Sequence, residues 1–444
     1  MRICILSEFF FPDNTGGTGT VLSDLVRTLR SIDSDLEIDV VTSRNLYRKA
    51  DVKLAAFEDW NGVNIHRLAA PHPNGLSTPL RLLANLSFCA SALVKLISLG
   101  DYDVILVGTA PPMTALAAQA LERLKGIPFV YVVYDLEPDR SVTMKMLPPY
   151  HPAVRFFRRG QKSWLLSAAK VVVLGQYMGE YLTETYDLPA QNVEVIPIGA
   201  DPEEIVPGPK QSHFRAKHGL KGFVVLYSGN FGRYHNFDTI LDAAKALRDT
   251  RPDIRFVLVG GGAQKDHIAA RVSQESLGNV SLFDFFPKEA YADLLASADV
   301  SLVTLEPGME GLCVPSKLYS ILASGRPVVA AVSPRSEVAR VIDESHLGRH
   351  MDQGDTEQMV SVLTFLADNP AEVERMGRNA RQALEDKYAL DVLARQYRAV
   401  LLDAALTRKR SGGASRGKPR PALAGAESSS REANRESQGT TIVG

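Results

Sequence analysis

Short apolar runs alternate with amphipathic stretches along the first half of the chain. Continuous runs of Val, Ile and Leu are typical of parallel strands that are buried on both faces, and the segments between them have the spacing of helices that cover a sheet. The pattern therefore predicts an α/β domain with a parallel sheet. Its predicted strands are Arg2–Ser7, Glu37–Thr42, Val104–Val107, Phe129–Val133, Val171–Leu174 and Val193–Ile196, and its clearest helices are Val21–Arg30 and Ala115–Leu124.

The segment Pro197–Pro209 interrupts this rhythm with four prolines and two glycines, which is typical of an interdomain linker. The pattern then restarts, so the chain is predicted to hold two doubly wound, Rossmann-like α/β domains that face a cleft. The predicted strands of the second domain are Phe223–Tyr227, Arg255–Val259, Val280–Phe283, Val300–Thr304 and Pro327–Ala331, with helices at Asp238–Arg248 and Tyr291–Ala298.

These patterns divide the chain into residues 1–200, residues 201–375 and a helical stretch at 376–406 that is expected to pack back on the first domain. From Thr407 the composition becomes rich in Gly, Ser, Pro and charged residues, with little apolar content. Residues 407–444 are therefore predicted to be disordered.

Composition narrows the classes of function. The chain has 444 residues, 45% of them hydrophobic and 23% charged, with a formal net charge of −1. With so small a net charge, no overall electrostatic field attracts the chain to nucleic acid. Nucleic acid is therefore not expected as a partner. The three cysteines form no close pair, which favours reduced thiols in the cytoplasm. The start of the chain is interpreted as a buried strand rather than a signal peptide, and no spanning helix is expected.

A glycine-rich turn at Asp13–Gly19 leads from the first strand into the first helix. Gly16 and Gly17 would let the backbone approach a ligand, and the helix start offers free N–H groups to a phosphate. A tight turn without a ligand explains the same residues. A dinucleotide is disfavoured, because the second strand ends without the carboxylate that would hold its ribose.

A second motif, Ser228–Asn236, follows the first strand of the second domain, and Gly229 and Asn230 are candidates for the donor site. The planar guanidinium of Arg233 suits a diphosphate, and His235 is expected to hydrogen-bond the same group. Gly260 and Gly261 follow the next strand, where they would allow close approach of the backbone to a base or ribose. A flexible loop without a ligand is the alternative.

The third motif is Glu310–Tyr319, which leads into a helix. Pro315 or Ser316 suits the start of that helix, with Ser316 as its cap and as a further candidate for binding the ligand. Lys317 stands in the first turn, where a cation opposes the helix dipole. That placement favours an anion bound beside the lysine over a purely structural role.

Four segments resemble the family-four GT-B glycosyltransferases that retain anomeric configuration and build lipopolysaccharide, capsule and colanic acid. They are FFPDNTGGTG at 10–19, VIPIGAD at 195–201, LYSGNFGRYHNFDTILDA at 226–243 and EGLCVPSKLYSILASGRPVVA at 310–330. The last is similar to the colanic-acid branch, in which a Pro-Ser-Lys segment carries a phosphate-contacting lysine.

The resemblance implies a hexosyl or deoxyhexosyl transferase. It implies a UDP- or GDP-linked sugar donor bound mainly by the second domain, and a glycan or lipid-linked acceptor on the first. It also implies that the enzyme needs no metal and no cofactor besides the nucleotide sugar. Arg233, Lys317 and the Gly16–Gly17 backbone would stabilise the diphosphate leaving group.

The chain departs from the family pattern at two places. A pair of glutamates eight positions apart is replaced by Leu312 and Ser320, so that Ser320 is left to hold the ribose and Glu310 is a candidate for the donor-sugar hydroxyls. A histidine after the strand at 129–133 is replaced by a segment in which Asp135 or Glu137 would orient the acceptor or donor sugar.

Two segments are candidates for peripheral contact with the inner face of the plasma membrane. Residues 81–97 are mostly apolar with a cation near each end, and residues 155–164 mix aromatic and cationic side chains. A buried core helix and an ordinary surface helix are the respective alternatives. For the whole chain, a sugar-nucleotide epimerase and a non-catalytic sugar-nucleotide-binding scaffold remain competing functions.

Overall fold

The computed structural model describes residues 1–12, 17–46, 52–71, 78–109 and 111–414. Two sheets organise the chain. The first has the strand order β3-β4-β2-β1-β5-β6-β7-β8, and its described pairs are parallel except for β3 with β4. Its strands are β1 (Arg2–Leu6), β2 (Glu37–Ser43), β3 (Phe57–Trp60), β4 (Val63–Leu68), β5 (Val104–Gly108), β6 (Phe129–Val133), β7 (Lys170–Val173) and β8 (Val193–Val195).

Helices connect these strands and cover the sheet. They are α1 (Thr18–Ile32), α2 (Thr78–Leu99), α3 (Ala115–Lys125), α4 (Asp139–Thr143), α5 (Pro152–Ser167) and α6 (Gln176–Tyr186). The chain crosses the sheet in one direction from β1 to β2 and in the other from β4 to β5 and β6. Right-handed crossovers therefore put α1 on one face and α2 and α3 on the other.

The second sheet has the order β11-β10-β9-β12-β13-β14, and its described pairs are parallel. Its strands are β9 (Phe223–Asn230), β10 (Ile254–Gly261), β11 (Val280–Phe283), β12 (Val300–Thr304), β13 (Val328–Ala331) and β14 (Gly348–Met351). The helices that follow are α7 (His213–His218), α8 (Asp238–Leu247), α9 (Lys265–Gln274), α10 (Tyr291–Ala296), α11 (Lys317–Ala323), α12 (Glu337–Ser345), α13 (Thr356–Asp368), α14 (Pro370–Ala383) and α15 (Leu390–Ala414).

The fold predicted from the pattern of apolar positions is confirmed: both domains are α/β with mostly parallel sheets. The strands β3, β4 and β14 were not predicted. The strands β9 and β10 also run further than predicted, to Asn230 and Gly261. The first sheet is built from residues before the Pro197–Pro209 segment and the second from residues after it.

The C-terminal helix α15 packs against α1 of the first domain. Arg398 on α15 donates from Nε to Asp33 at the end of α1, over 2.6 Å. The predicted single helical stretch is interrupted by a π-helical turn at Leu384–Tyr388. Helix α15 continues to Ala414, beyond the predicted start of the tail at 407, and residues 415–444 lie outside the described residues.

The two domains touch directly. The backbone N–H of Leu136, just after β6, donates to the carbonyl oxygen of Leu312 in the second domain over 3.1 Å. Asp135 and Cys313 form an isolated antiparallel bridge at the same place. Leu136 and Leu312 belong to one cluster of buried apolar side chains that spans both domains. The carboxyl end of β6 therefore faces the second domain.

Candidate functional site

The glycines at the ends of β9 and β10 lie side by side. Gly229 pairs with Gly260, and Asn230 pairs with Gly261. A Cβ at Gly260 would lie 1.9 Å from the carbonyl oxygen of Gly229, so the packing of the two strands itself requires glycine there. These residues end strands rather than forming the expected loop, and Gly260 is explained without a ligand.

The ammonium group of Lys317 is the most unusual group at these strand ends. Its Nζ is buried and has no hydrogen-bond partner among the described residues. It lies 3.5 Å from the ring centroid of Tyr227 on β9, a cation–π contact, and close to the bare backbone of Gly229. Burial lowers the pKa of Lys317 well below its usual value. A buried cation left unpaired is costly, which marks a place for an anion.

The two serines predicted near Lys317 have different surroundings. Ser316 is exposed and stands at the predicted N-cap position of α11, but its hydroxyl makes no capping hydrogen bond. Ser320 is half-buried on α11. Burial raises the pKa of Tyr291, and hydrogen bonds with Ser320 and Ser228 oppose that rise. Ser320 is thus joined to the end of β9 through Tyr291.

Arg233 and His235 lie on the same loop but in opposite environments. Arg233 is exposed and makes no hydrogen bond or ion pair with another residue of the described part of the chain. His235 is 4% exposed, and its Nδ1 lies 3.0 Å from the hydroxyl of Tyr227. Burial, and then the nearby charge of Lys317, lower the pKa of His235 well below its usual value. The structure therefore corrects the expectation for His235, which lies behind Tyr227 in the domain interior.

A side-chain amide holds this loop in place. Gln264 donates from Nε2 to the carbonyl oxygens of Gly232 and His235, over 2.6 and 2.8 Å. Gly262, two residues before Gln264, has φ +141, and a Cβ there would lie 2.4 Å from Oδ1 of Asn230. Asn230 is therefore packed against the turn that carries Gln264, which fixes the loop around Arg233.

Across the cleft, Asp135 and Glu137 share one cation that the sequence analysis did not identify. Arg140 places Nη1 2.7 Å from Oδ2 of Asp135, and its Nε and Nη2 donate to Oε1 of Glu137 over 3.0 and 2.8 Å. The other oxygen of Glu137 accepts from the hydroxyl of Ser141 over 2.6 Å. Glu137 is thus engaged within its own turn, whereas 46% of the Asp135 side chain is exposed.

Two further predicted positions are less defined. Glu310 is half-buried, and its carboxylate makes no hydrogen bond to another residue within the described ranges. Gly17 has φ +79, which favours glycine, and open space where a Cβ would stand, directly before α1. Gly16 lies outside the described residues.

Within the described ranges, no group of three or more His, Cys, Asp or Glu side chains is arranged to hold a metal ion.

The two candidate membrane segments are α2 and α5. Within the described chain, Leu80–Leu99 of α2 is long and apolar enough to cross a membrane by length and composition, although Arg81 and Lys95 interrupt its apolar run. One face of α2 is buried and the other exposes apolar side chains, so the alternative of a buried core helix describes only one side of it. The exposed residues include Leu80, Leu83, Leu86, Val94 and Ile97.

Helix α5 presents a smaller apolar surface. Phe156 and Leu166 are exposed, but Trp164 is buried and cannot contact a headgroup. Arg158 is bonded to the buried Asp139 over 2.7 Å. The exposed cations of the segment include Arg155 and Arg159.

Two doubly wound domains with facing strand ends define the GT-B class of glycosyltransferase fold. Residues 16–199 match the family model of the glycosyl transferase 4-like domain, and residues 210–383 match that of the glycosyl transferases group 1. The two models together span most of the chain, which therefore belongs to this glycosyltransferase family.

Individual relatives extend this result. The chain is 28% identical over 289 residues to a Pseudomonas aeruginosa protein named "Probable glycosyltransferase WbjE", covering 65% of this chain and 71% of that protein. It is 31% identical over 120 residues to WcaI of Escherichia coli (strain K12), whose name places it in colanic acid biosynthesis; the match covers 27% and 29% of the two chains. Anabaena HepE in complex with UDP-glucose has a similar fold, with a TM-score of 0.66 at 16% identity over 90% of this chain and 99% of HepE.

Proposed function

We propose that the chain is a retaining hexosyl or deoxyhexosyl transferase that moves a sugar from a UDP- or GDP-linked donor to a glycan or lipid-linked acceptor in surface polysaccharide biosynthesis. The observation that carries the proposal is the buried, unpaired ammonium group of Lys317 at the carboxyl end of β9. The name of WcaI and the UDP-glucose complex of HepE support the pathway and the donor class.

The chemistry follows from the charge that develops when a sugar leaves its nucleoside diphosphate. The bond between the anomeric carbon and the phosphate oxygen breaks, and negative charge builds up on the diphosphate. Fixed positive groups in a site shielded from water stabilise such charge effectively. Lys317 supplies a buried cation beside the bare backbone of Gly229, and Arg233 supplies a guanidinium free to move onto the ligand. In this proposal the enzyme needs no metal ion.

The first domain holds the acceptor in this proposal. Asp135 follows β6, whose carboxyl end faces the second domain, and its partly exposed carboxylate can accept a hydrogen bond from a sugar hydroxyl. Glu310 lies on the opposite side, three residues before Cys313, and would contact hydroxyls of the donor sugar. Ser320, which lies beside Tyr291, would contact the ribose of the donor.

The proposed location is the cytoplasm, at the inner face of the plasma membrane. The exposed apolar side of α2 suits the interface of a bilayer, where such a surface is removed from water. The exposed Arg155 and Arg159 of α5 add attraction to anionic lipid. A lipid-linked acceptor would then reach the first domain from the side of these helices.

The decisive experiment screens UDP- and GDP-sugars by thermal shift and follows each stabilising donor in a transfer assay with octyl glycosides and lipid-linked monosaccharides. Transfer with retained configuration by NMR, undiminished by EDTA, is expected. Lys317→Ala and Arg233→Ala should each cut transfer about a hundredfold, the loss typical of removing one charge-stabilising group. Lys221→Ala, which removes an exposed lysine, serves as the control.

Other outcomes identify the alternatives. Conversion of the donor to an isomer without acceptor would indicate an epimerase. Binding of a donor without transfer, hydrolysis or isomerisation would indicate a scaffold subunit. Full activity of Lys317→Ala would refute the role given to the ammonium group.

A further inference from the structure

Arg140 uses three of its nitrogen atoms to hold two carboxylates. Nη1 faces Asp135 at 2.7 Å, while Nε and Nη2 donate to one oxygen of Glu137. Only 23% of the Arg140 side chain is exposed. The guanidinium therefore fixes the orientation of Asp135. It holds one carboxylate oxygen and leaves the other side of the group open.

Arg140 also contacts the second domain. Its Cζ lies 5.5 Å from the ring centroid of Tyr234, which stands between Arg233 and His235 on the loop after β9. The backbone of Tyr234 is held in turn, because its carbonyl oxygen accepts from the N–H of Glu306 over 2.9 Å. One guanidinium thus touches the acidic pair of the first domain and the arginine loop of the second.

We propose that Arg140 is a positioning residue that orients Asp135 toward an acceptor hydroxyl and that Tyr234 holds it there when the two domains are closed on each other. This inference rests on the proposed function, since it assigns a role to Asp135 in that reaction. A cation–π contact suits the task, because it forms and breaks with the approach of the two surfaces and needs no exact hydrogen-bond geometry.

The charges of the cluster define the kind of acceptor. Two carboxylates and one guanidinium leave a net negative charge beside the open side of Asp135. A neutral hydroxyl can donate a hydrogen bond there, whereas a phosphate or carboxylate next to the reacting position would be repelled. The acceptor end is therefore a neutral sugar hydroxyl.

The same cluster gives a pH signature. Although 46% of the Asp135 side chain is exposed, desolvation of its carboxyl group raises its pKa, and Arg140 opposes this rise. The titratable groups that face the pair are Glu137 from the first domain and Tyr234 and Cys313 from the second, with Glu310 beyond Cys313. Loss of Arg140 should raise the pKa of Asp135 further, so that activity is lost at a higher pH as the solution is acidified.

The test measures transfer by the full chain with the donor found by thermal shift and octyl glycosides as acceptors. Arg140→Gln should lower kcat about tenfold or more, as small misplacements of a catalytic group do, with the donor KM changed less than about threefold. Its acid limb should move to higher pH. Arg140→Lys should restore the acid limb but not kcat, because an ammonium group cannot bridge both carboxylates. Arg123→Gln, at an exposed arginine on α3, should behave as wild type.

A double-mutant cycle between Arg140→Gln and Tyr234→Leu completes the test. The shifts in thermal midpoint should be less than additive if the two side chains are coupled. Additive shifts, or an unchanged kcat and acid limb in Arg140→Gln, would overturn the inference. If the wild-type chain transfers no sugar, the proposed function fails, and the cycle still decides whether Arg140 and Tyr234 are coupled.

Discussion

A Cβ atom at Gly229 would lie 3.1 Å from Cε and 3.2 Å from Nζ of Lys317. Both separations are tighter than ordinary van der Waals contact, so the lysine would have to move by a few tenths of an ångström. Gly229 also has φ +146, a conformation that side chains rarely adopt. The absence of a side chain at Gly229 therefore leaves the space that the ammonium group of Lys317 occupies.

Gly229→Ala should weaken binding of UDP or GDP about tenfold, which is about 1.4 kcal/mol, because Lys317 is displaced. It should also lower the free energy of unfolding by about 1–3 kcal/mol through backbone strain. Calorimetric titration and urea denaturation measure the two effects. Gly278→Ala is the control, since a Cβ there meets open space. An unchanged nucleotide affinity in Gly229→Ala would show that Gly229 does not contribute to nucleotide binding by Lys317.

Lys317→Met should stabilise the protein while removing nucleotide binding. A buried polar group without a hydrogen-bond partner costs about 1–3 kcal/mol, which the thioether avoids. The pKa of Lys317 is lowered in the folded state, so the unfolded chain binds more protons between that lowered pKa and the ordinary value of 10.5. Wild-type stability therefore rises with pH across this window, and the advantage of Lys317→Met shrinks as the pH rises.

Unfolding curves from neutral to alkaline pH check this prediction, with Lys221→Met as the exposed control. Nucleotide binding gives a second readout. A diphosphate beside Lys317 restores its proton, so wild-type affinity should fall as the pH rises, and Lys317→Met should lose that dependence. A destabilised Lys317→Met variant would instead assign the lysine to the structure of the domain.

The fold could be predicted because a buried parallel strand consists of continuous apolar residues, as in β6 and β13, where every residue is buried. The strands β3 and β4 were not predicted, because exposed and half-buried positions and polar residues interrupt their apolar runs. β3 is the edge strand of the sheet, and β4 lies next to it. Arg67 on β4 is an example: it is 4% exposed and paired with Glu58 over 2.6 Å. From the sequence alone, a charged residue of this kind is expected at the protein surface.

The site was predictable in part for a similar reason. A lysine in the first turn of a helix is unusual, because its charge opposes the helix dipole. This local signal makes Lys317 a candidate from the sequence alone. The burial of His235 behind Tyr227 and the contact of Arg140 with Tyr234 depend on elements far apart in the chain. Glu137 and Arg140 are three residues apart, a spacing that signals an ion pair, but no local pattern reveals the contact between the domains.

Glu8, two residues after the end of β1, offers a separate test of burial. Its side chain is 4% exposed, and burial raises its pKa from 4.5 to about 7. The folded state therefore binds more protons than the unfolded chain between these two values, and stability should fall as the pH rises through this window, by about 3 kcal/mol in total. Glu8→Gln should remove this dependence. Thermal unfolding from pH 4.5 to 8 measures it, and Glu37→Gln, at an exposed position on β2, should keep it. A wild-type stability that does not fall over this range would contradict the burial of Glu8.

The exposed apolar side of α2 leads to the last prediction, that the chain binds vesicles of anionic phospholipid. Leu83 is 60% exposed and Val94 is 69% exposed, and burial of such side chains in a bilayer interface is favourable by about 1.5–3 kcal/mol each. Leu83→Glu combined with Val94→Glu should therefore reduce co-sedimentation about tenfold or more. Arg155→Glu combined with Arg159→Glu should weaken binding chiefly at low salt, because attraction between exposed charges is screened. Phe365→Glu, at a 47% exposed apolar residue on α13 of the second domain, controls for the general effect of a new charge. Equal binding by the α2 variant and the Phe365 variant would show that α2 is not the membrane-binding surface.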